Sequence, residues 1–141
     1  MAGEFGARRL GKQRKKFRWR KDNYRIRSKN LRKKIDPLEG APMAKGIVLE
    51  KRIVEEKQPS SGLIKCVRVR LIKNGKQLTA HVPNTGAINH VAEHDQVLVV
   101  GIGGSQGGPV GCMPGLKYKV VKVNDVSLEQ IRQGKKQKPV R

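Results

Sequence analysis

The chain has 141 residues, among them 32 lysines and arginines but only 11 acidic residues, and its formal net charge is +21. This length suits one ordinary domain, and so large a positive charge indicates a polyanionic partner, with nucleic acid as the first candidate. The sequence has no apolar run of the ~20 residues that a membrane helix needs, and no apolar stretch follows the basic N-terminus as a signal peptide requires. We therefore expect a soluble, cytoplasmic protein with no membrane partner.

The positive charge is densest in the N-terminal third. Residues 1–45 hold 16 of the 32 basic residues but 4 of the 11 acidic ones, and Phe17, Trp19 and Tyr24 are interleaved with the cations. So few apolar side chains cannot build a core, whereas aromatic faces can stack on bases and arginine forks suit phosphates. The pattern predicts a helical or extended arm that orders when it binds RNA, and a solvated disordered tail is the alternative.

Strand patterns begin at Gly46, after a segment whose prolines and glycines break any helix. Apolar alternation and short apolar runs then predict five strands, at 46–54, 65–72, 76–82, 96–102 and 117–123. Five short strands joined by two long loops fit a small closed barrel better than an open sheet. The predicted fold is therefore all-β, a five-stranded closed barrel of oligonucleotide-binding type with a long basic N-terminal arm.

The predicted strand at 65–72 shows the clearest two-residue period. Its inward set would be Val67, Val69 and Leu71, and its outward set would be Cys66, Arg68 and Arg70. The two outward arginines are suited to phosphate contacts. Asn74-Gly75, shortly after this strand, predicts a type I′ hairpin turn.

A short helix is predicted near the C-terminus. Ser127 and Gln130 have the spacing of a capping box, and Gly134 is placed to end the helix before an extended basic tail. The predicted parts of the chain are a basic arm and junction at 1–45, the barrel at 46–126, and the short helix and basic tail at 127–141.

Two patterns that suggest enzyme chemistry fail on their spacing. The Gly-rich run at 101–111 has neither the dinucleotide-binding nor the phosphate-loop spacing, and Pro109 and Pro114 exclude the helix that would hold phosphates. Metal-ligand spacing is also missing among the candidate ligands, which are His81, His90, Glu93, His94, Asp95 and Cys112. The two cysteines, Cys66 and Cys112, form no Cys-x-x-Cys pair. We expect no catalytic residue, no metal site and no enzyme activity.

The stretch KQPSSGLIKCVRVRLIKNGKQLTAHVP, at 57–83, resembles the universal small-subunit ribosomal protein S-twelve family, called S-twenty-three in eukaryotes. The similarity continues through NGKQLTAHVPNTGAINHVAEHDQVLVVGIGG and MPGLKYKVVKVNDVSL, reaches back into KFRW and DPLEGAPMAKGIVLEK, and is greatest to the archaeal form. The resemblance implies an oligonucleotide-binding barrel with a long arm, bound to small-subunit rRNA at the decoding centre. It also implies a structural role that helps set the accuracy of codon–anticodon recognition in the A site.

The resemblance assigns roles to individual residues. The two loops expected to face the A site contain Lys57, Gln58, Pro59, Ser60, Ser61, Cys112, Pro114 and Gly115. The residues expected to bind rRNA are Arg14, Lys15, Lys16, Arg18, Trp19, Arg20, Lys65, Arg68, Arg70, Lys117 and Tyr118. The residues expected to face an elongation-factor GTPase are Asn89 and His90. The positions that depart from the family pattern are Ser60, Gly62, Ile64 and Cys112.

A decoding role has a physical basis in these residue types. The minor groove of A-form pairing is wide and shallow and displays 2′-hydroxyls, so correct pairs can be tested by shape. Pro59 fixes one backbone torsion, the hydroxyls of Ser60 and Ser61 can donate and accept, and Lys57 supplies charge for phosphate. Expected partners are small-subunit rRNA, A-site tRNA, mRNA, other small-subunit proteins and, transiently, the GTPase. No cofactor is expected, although structural magnesium ions of the rRNA would lie nearby.

Two other classes of function stay open at this stage. A free single-strand RNA-binding barrel could act as a chaperone or translation factor outside the particle. Against it, Tyr118 is the only aromatic residue after residue 45, whereas unspecific single-strand binders stack bases on several rings. An enzyme that uses the histidines would need a bound metal or an activity that titrates with His90 or His94.

Overall fold

The computed structural model describes residues 3–56, 58, 61–103, 113 and 115–140. They divide into two compact units, one that ends at Gly40 and one that begins at Ala41. The helices and strands are α1 (Glu4–Arg20), α2 (Asp22–Ser28), α3 (Leu31–Ile35), β1 (Met43–Glu55), β2 (Leu63–Leu71), β3 (Gln77–His81), β4 (Gln96–Gly101), β5 (Tyr118–Val123), β6 (Val126–Ser127) and α4 (Leu128–Arg132), with a 3-10 turn at Ala87–His90 between β3 and β4.

The strands of the second unit close into a barrel. Their order is β3-β2-β1-β4-β5-β6, and β3 also pairs in parallel with β5, which joins the two sides of the sheet. All other pairings are antiparallel. Within the described residues, closure pairs most strands on both sides, whereas residues 50–55 of β1 pair with β2 alone. The predicted five-stranded closed barrel is confirmed.

The interior of the barrel follows from the two-residue period of its strands. Val67, Val69 and Leu71 of β2 are buried, as predicted, and Arg70 on the opposite face is exposed. The expectation for Cys66 was wrong in one respect, because this side chain lies on the outer face of β2 but is 0% exposed. A later segment of the chain covers it, as described below.

Gly46 lies where β1 passes closest to β2. A Cβ atom on Gly46 would lie 2.4 Å from Cγ1 of Val69 and 2.9 Å from the backbone oxygen of Arg70. Real Cβ atoms essentially never approach another heavy atom so closely. The absence of a side chain at Gly46 therefore lets the two strands pair while Val69 fills the interior.

The connection between β2 and β3 is not the predicted type I′ turn. That turn needs a positive φ at both central residues, and of the pair Asn74-Gly75 only Gly75 has one, at 70°. The loop is wider, because the amide of Gly75 donates to the carbonyl of Leu71 (3.0 Å) and the amide of Leu71 to the carbonyl of Lys76 (2.9 Å). Oδ1 of Asn74 accepts from the amide of Lys76 (3.1 Å), which stabilises this longer form.

The C-terminal helix α4 is present, but its predicted capping box is not. Ser127 occupies the N-cap position, yet within the described residues its side chain makes no capping hydrogen bond. The C-terminal prediction is confirmed, because Gly134 has a φ of 78° and its amide donates to the carbonyl of Ile131 (3.1 Å). The amide of Lys135 also reaches the carbonyl of Gln130 (3.0 Å), which completes a glycine-terminated helix end.

The basic tail after α4 is tied to the barrel through Asn124, which is 5% exposed. Oδ1 of Asn124 accepts from the amide of Gln96 (3.2 Å), and its Nδ2 donates to the carbonyl of Pro139 (3.2 Å). One residue before Pro139, the Lys138 ammonium forms an ion pair with Asp95. The tail is therefore fixed by one buried amide and one partly buried ion pair.

The Asp95–Lys138 pair makes the stability of this unit depend on pH. Partial burial raises the pKa of Asp95, but hydrogen bonds from Lys138 and from the amide of Ala92 outweigh it, so the net pKa is lower than its usual value of 3.8. A carboxylate with a lowered pKa stabilises the fold above its unfolded-state pKa, and this contribution is lost as the pH falls through the folded-state pKa.

We expect the melting temperature of Asp95→Asn to fall less than that of the parent when the pH drops from about 5 to about 3. Thermal unfolding followed by circular dichroism at each pH measures this. Asp125→Asn is the control, because Asp125 pairs with Lys45 and both side chains are more than half exposed. Exposed pairs contribute only ~0–1 kcal/mol. Parallel acid profiles for parent and Asp95→Asn would contradict the assignment.

Candidate RNA-binding surface

Two loops leave the barrel from strands that lie close together. The first loop, residues 57–61, is closed at its base by the Glu55–Leu63 strand pair and by a hydrogen bond from the amide of Glu56 to the carbonyl of Gly62 (2.9 Å). The second loop, residues 103–116, is closed by a hydrogen bond from the amide of Ile102 to the carbonyl of Lys117 (2.9 Å). Both predicted A-site loops are therefore held at their bases by regular structure.

A buried cluster on the outer face of β2 joins the bases of the two loops. Ile64 (9% exposed) and Cys66 (0%) pack against Leu116 (1%), and Met113 lies against the same cluster. Ile64 lies three residues beyond the first loop, and Leu116 is the last residue of the second. The packing of these side chains therefore brings one end of each loop to the same part of the barrel surface.

The same cluster explains the burial of Cys66. Its Sγ atom lies 4.0 Å from the carbonyl oxygen of Ile64, and burial raises the pKa of the thiol. A protonated, enclosed thiol is a poor nucleophile and a poor metal ligand. Cys66 therefore acts as an apolar packing residue between the loops.

The predicted loop residues are only partly within the described residues. Gln58, Ser61 and Gly115 are described and exposed. The remaining loop predictions lie outside the described residues; they are Lys57, Pro59, Ser60, Cys112 and Pro114.

A basic face covers the outer side of β2, β3 and β5. We define the basic face as Arg68, Arg70, Thr79, His81 and Lys119, which neighbouring strand pairs bring together. Nη1 of Arg68 donates to Oγ1 of Thr79 (3.1 Å), which fixes the direction of its guanidinium group. Arg70 and Lys119 are exposed. These side chains offer several hydrogen-bond donors and positive charges on one surface, as phosphate binding requires.

Lys119 was missed by the sequence analysis. It is opposite His81 in the parallel pairing of β3 with β5. Neither strand pattern carries a signal for this pairing, because parallel neighbours can be far apart in the sequence. The two predicted residues before it are also near this surface, with Lys117 exposed and Tyr118 half-buried.

Lys65 does not share the outer face of β2 with Arg68 and Arg70. It lies on the opposite face by strand alternation, and its Nζ donates to the carbonyl of Leu63 (3.0 Å). The carbonyl of Lys65 lies 3.2 Å from Nδ1 of His81. Lys65 is thus near the first loop but separate from the basic face.

The N-terminal unit is helical. The predicted RNA-binding residues Arg14, Lys15, Lys16, Arg18, Trp19 and Arg20 all lie in α1 and are exposed. The Trp19 and Tyr24 rings meet edge to face with centroids 4.9 Å apart, and the Arg18 guanidinium lies 4.2 Å from the centroid of Tyr24. The unit therefore presents cations on most of its surface, with aromatic rings packed among them.

The remaining predicted site residues lie on the 3-10 turn between β3 and β4. Asn89 is exposed and His90 half-buried, and the turn is anchored by the buried side chain of Ala87. Within the described ranges, no three His, Cys, Asp or Glu side chains are grouped to hold a metal ion. Nor is any described helix long and apolar enough to cross a membrane.

Comparison with protein families gives a match that covers the entire barrel unit. The family model described as Ribosomal protein S12/S23 matches residues 31–141. This is well over half of the chain, and it includes both loop bases and the basic face. The chain therefore belongs to this family of RNA-binding structural proteins of the small ribosomal subunit.

Proposed function

We propose that this ribosomal protein helps set the accuracy of codon–anticodon recognition, with its first and second loops directed to the A site. The observation that carries the proposal is the Ile64–Cys66–Leu116 cluster. It fixes one end of each loop to the same part of a closed barrel, so the loops can act together as one platform. A platform of this kind suits recognition by shape better than two independent loops would.

The proposed mechanism is the stabilisation of correctly paired tRNA, without covalent chemistry. Monitoring the wide minor groove of A-form pairs requires groups held at fixed positions. Ser61 is exposed at the end of the first loop, and Pro59, Ser60 and Lys57 supply a fixed torsion, a hydroxyl and a positive charge. The rRNA bases that monitor pairing, held in place by the first loop, would then stabilise a correct codon–anticodon pair more than a mismatched one.

In this proposal, the basic face and the N-terminal arm supply most of the binding affinity for rRNA. Arg68 and Arg70 lie on β2 of the basic face and Lys119 lies on β5, and α1 presents exposed cations along its length. Such contacts position a protein on RNA without reading its sequence. Each neutralised phosphate also releases counterions, so binding should weaken steeply with added salt.

If the two loops face the A site, the molecules that bind there are the expected transient partners of this protein. We propose that the loops meet A-site tRNA and mRNA, and that Asn89 and His90 face an elongation-factor GTPase. Magnesium ions bound to the rRNA would lie nearby, and the particle would be the cytoplasmic small subunit of an archaeal-type ribosome. Membership of the family favours this role over a free single-strand RNA-binding barrel.

Replacing Lys57 with alanine should lower the misreading frequency by about tenfold or more, because a charge-assisted contact contributes ~1.5–3 kcal/mol. Near-cognate tRNAs bind the A site more weakly than cognate tRNAs do. Loss of this contact should therefore reduce the acceptance of near-cognate tRNAs most. Pro59→Gly should also change the misreading frequency. Both variants are measured with a pair of reporters, one that carries a near-cognate codon at an essential position and one that does not. The melting temperature of the barrel should stay unchanged in both variants.

Lys51→Ala is the matched control, because Lys51 is an exposed lysine on β1 away from the first loop. It should leave misreading unaltered. Equal error frequencies in the parent, Lys57→Ala and Pro59→Gly would refute the decoding role while leaving the membership of the small subunit intact.

A further inference from the structure

The outer face of β1 and β4 carries exposed aliphatic side chains. We define the aliphatic patch as Met43, Ile47, Ile72, Leu98 and Val100. Met43 is 48% exposed, Ile47 41% and Ile72 58%, while Leu98 and Val100 are half-buried. Scattered exposed aliphatic residues are common, but a contiguous group on a sheet face marks an interaction surface.

Strand register shows that these side chains are neighbours. Met43 is opposite Val100 in the β1–β4 pairing, and Lys45, two residues along β1, is opposite Leu98. Ile47 follows on the same face of β1. The amide of Ile72 donates to the carbonyl of Lys45 (3.1 Å), which brings Ile72 beside Lys45 from the other side. Met43 and Val100 are directly opposed, and the other patch residues are diagonal neighbours ~7–8 Å apart around Lys45, a spacing that long side chains can bridge.

The barrel core does not require this patch. The alternate residues Ala44, Gly46 and Val48 of β1 are the ones buried inside the barrel. Outward positions on a solvated sheet face are normally polar. The exposed aliphatic side chains of Met43 and Ile47 are therefore not explained by the packing of the barrel core.

Positive charges surround the patch. Arg70 is opposite Ile47, Lys119 is opposite Val100, and Lys122 is opposite Leu98. Lys45, near its centre, forms a 3.4 Å ion pair with Asp125, and both side chains are more than half exposed. A partner that fits this surface needs apolar side chains beside Lys45 and carboxylates toward Lys122 and toward the border that the patch shares with the basic face.

We propose that the aliphatic patch binds a segment of another protein that carries apolar residues flanked by Asp or Glu. RNA fits less well, because the patch has no aromatic ring on which a base could stack. Phosphates would have to lie over five aliphatic side chains, which would lose contact with water without gaining an apolar partner. The basic face, rather than the aliphatic patch, has the donors that RNA uses. The proposal rests on family membership and not on the decoding role.

Cross-linking in assembled small subunits tests the nature of the partner. A photoreactive benzophenone amino acid replaces Ile72 in the full-length chain, particles are purified and irradiated, and the adducts are identified by mass spectrometry. We expect an adduct to a peptide of one other protein with Asp or Glu close to apolar residues. An adduct to rRNA, or no adduct, would overturn the proposal. The same amino acid in place of Arg68, on the basic face, should give an rRNA adduct.

A charge-insertion variant tests the contribution of the patch to binding. Ile47→Lys combined with Met43→Lys should lower the amount of the cross-linked protein in purified particles by about tenfold or more, because two charges would enter an apolar contact. Ile53→Lys is the matched control, since Ile53 is 61% exposed on β1 but outside the patch. Unchanged occupancy in the double variant would overturn the proposal. If that variant fails to fold, the cross-link at Ile72 alone decides.

Discussion

Leu116→Ala is expected to destabilise the barrel unit by about 2–5 kcal/mol, the range for truncating a buried leucine. Leu116 is 1% exposed and packs on Ile64 and Cys66. Its loss leaves a cavity and removes the contact that holds the end of the second loop beside the base of the first. Urea unfolding of the purified chain measures the free energy of unfolding.

The same variant should also change misreading, because the two loops would no longer be held in one arrangement. Leu128→Ala is the matched control. Leu128 is 2% exposed in α4, and it does not belong to the Ile64–Cys66–Leu116 cluster. It should reduce stability by a similar amount and leave the error frequency of assembled particles unaltered. Identical error frequencies for the two variants would show that the cluster supports stability alone.

Gly46→Ala is expected to destabilise the barrel by about 1–3 kcal/mol, the usual effect of adding a methyl group to a filled interior. The new Cβ would lie 2.4 Å from Cγ1 of Val69, a side chain that is itself 0% exposed in the core. The carbonyl of Arg70 at 2.9 Å belongs to the backbone and can move only with the strand. The urea midpoint should therefore fall.

Gly101→Ala provides the comparison within a strand. Gly101 lies in β4, and a Cβ atom there would meet no atom of the described residues within 4 Å. Its effect on the midpoint should be small. Gly46→Ala combined with Val69→Ala should destabilise by less than the sum of the two single variants, because Cγ1 of Val69 is the closest obstruction. A midpoint for Gly46→Ala equal to that of the parent would refute the close-packing argument.

Local sequence patterns predicted the parts of the fold that depend on neighbouring residues. The period of two in β2 correctly separated Val67 and Val69 from Arg68 and Arg70, because successive strand residues point to opposite faces. The glycine at 134 correctly predicted the end of α4. The turn type at Asn74-Gly75 was wrong, since β2 ends at Leu71 and the extra residues form a longer loop.

The candidate site was predictable only in outline. Charge, outward arginines and the family motif indicated an RNA-binding barrel with two functional loops. The two-residue period already separates Lys65 from Arg68 and Arg70, but the sequence could not show that its ammonium donates to the carbonyl of Leu63. Nor could it show Lys119 beside His81, because that contact depends on how the barrel closes.

By itself, the sequence determined the polyanionic partner class, five of the six strands of the described residues and the family, because charge, two-residue periods and long motifs are local properties of the chain. Only the tertiary structure decided which outward residues are covered. Cys66 and Ile64 are buried because Leu116, about fifty residues later, packs over them. Met43 and Ile47, which have the same outward position on β1, stay exposed. Periodicity distinguishes the two faces of a strand, but the burial of an outer face depends on contacts between residues far apart in the chain.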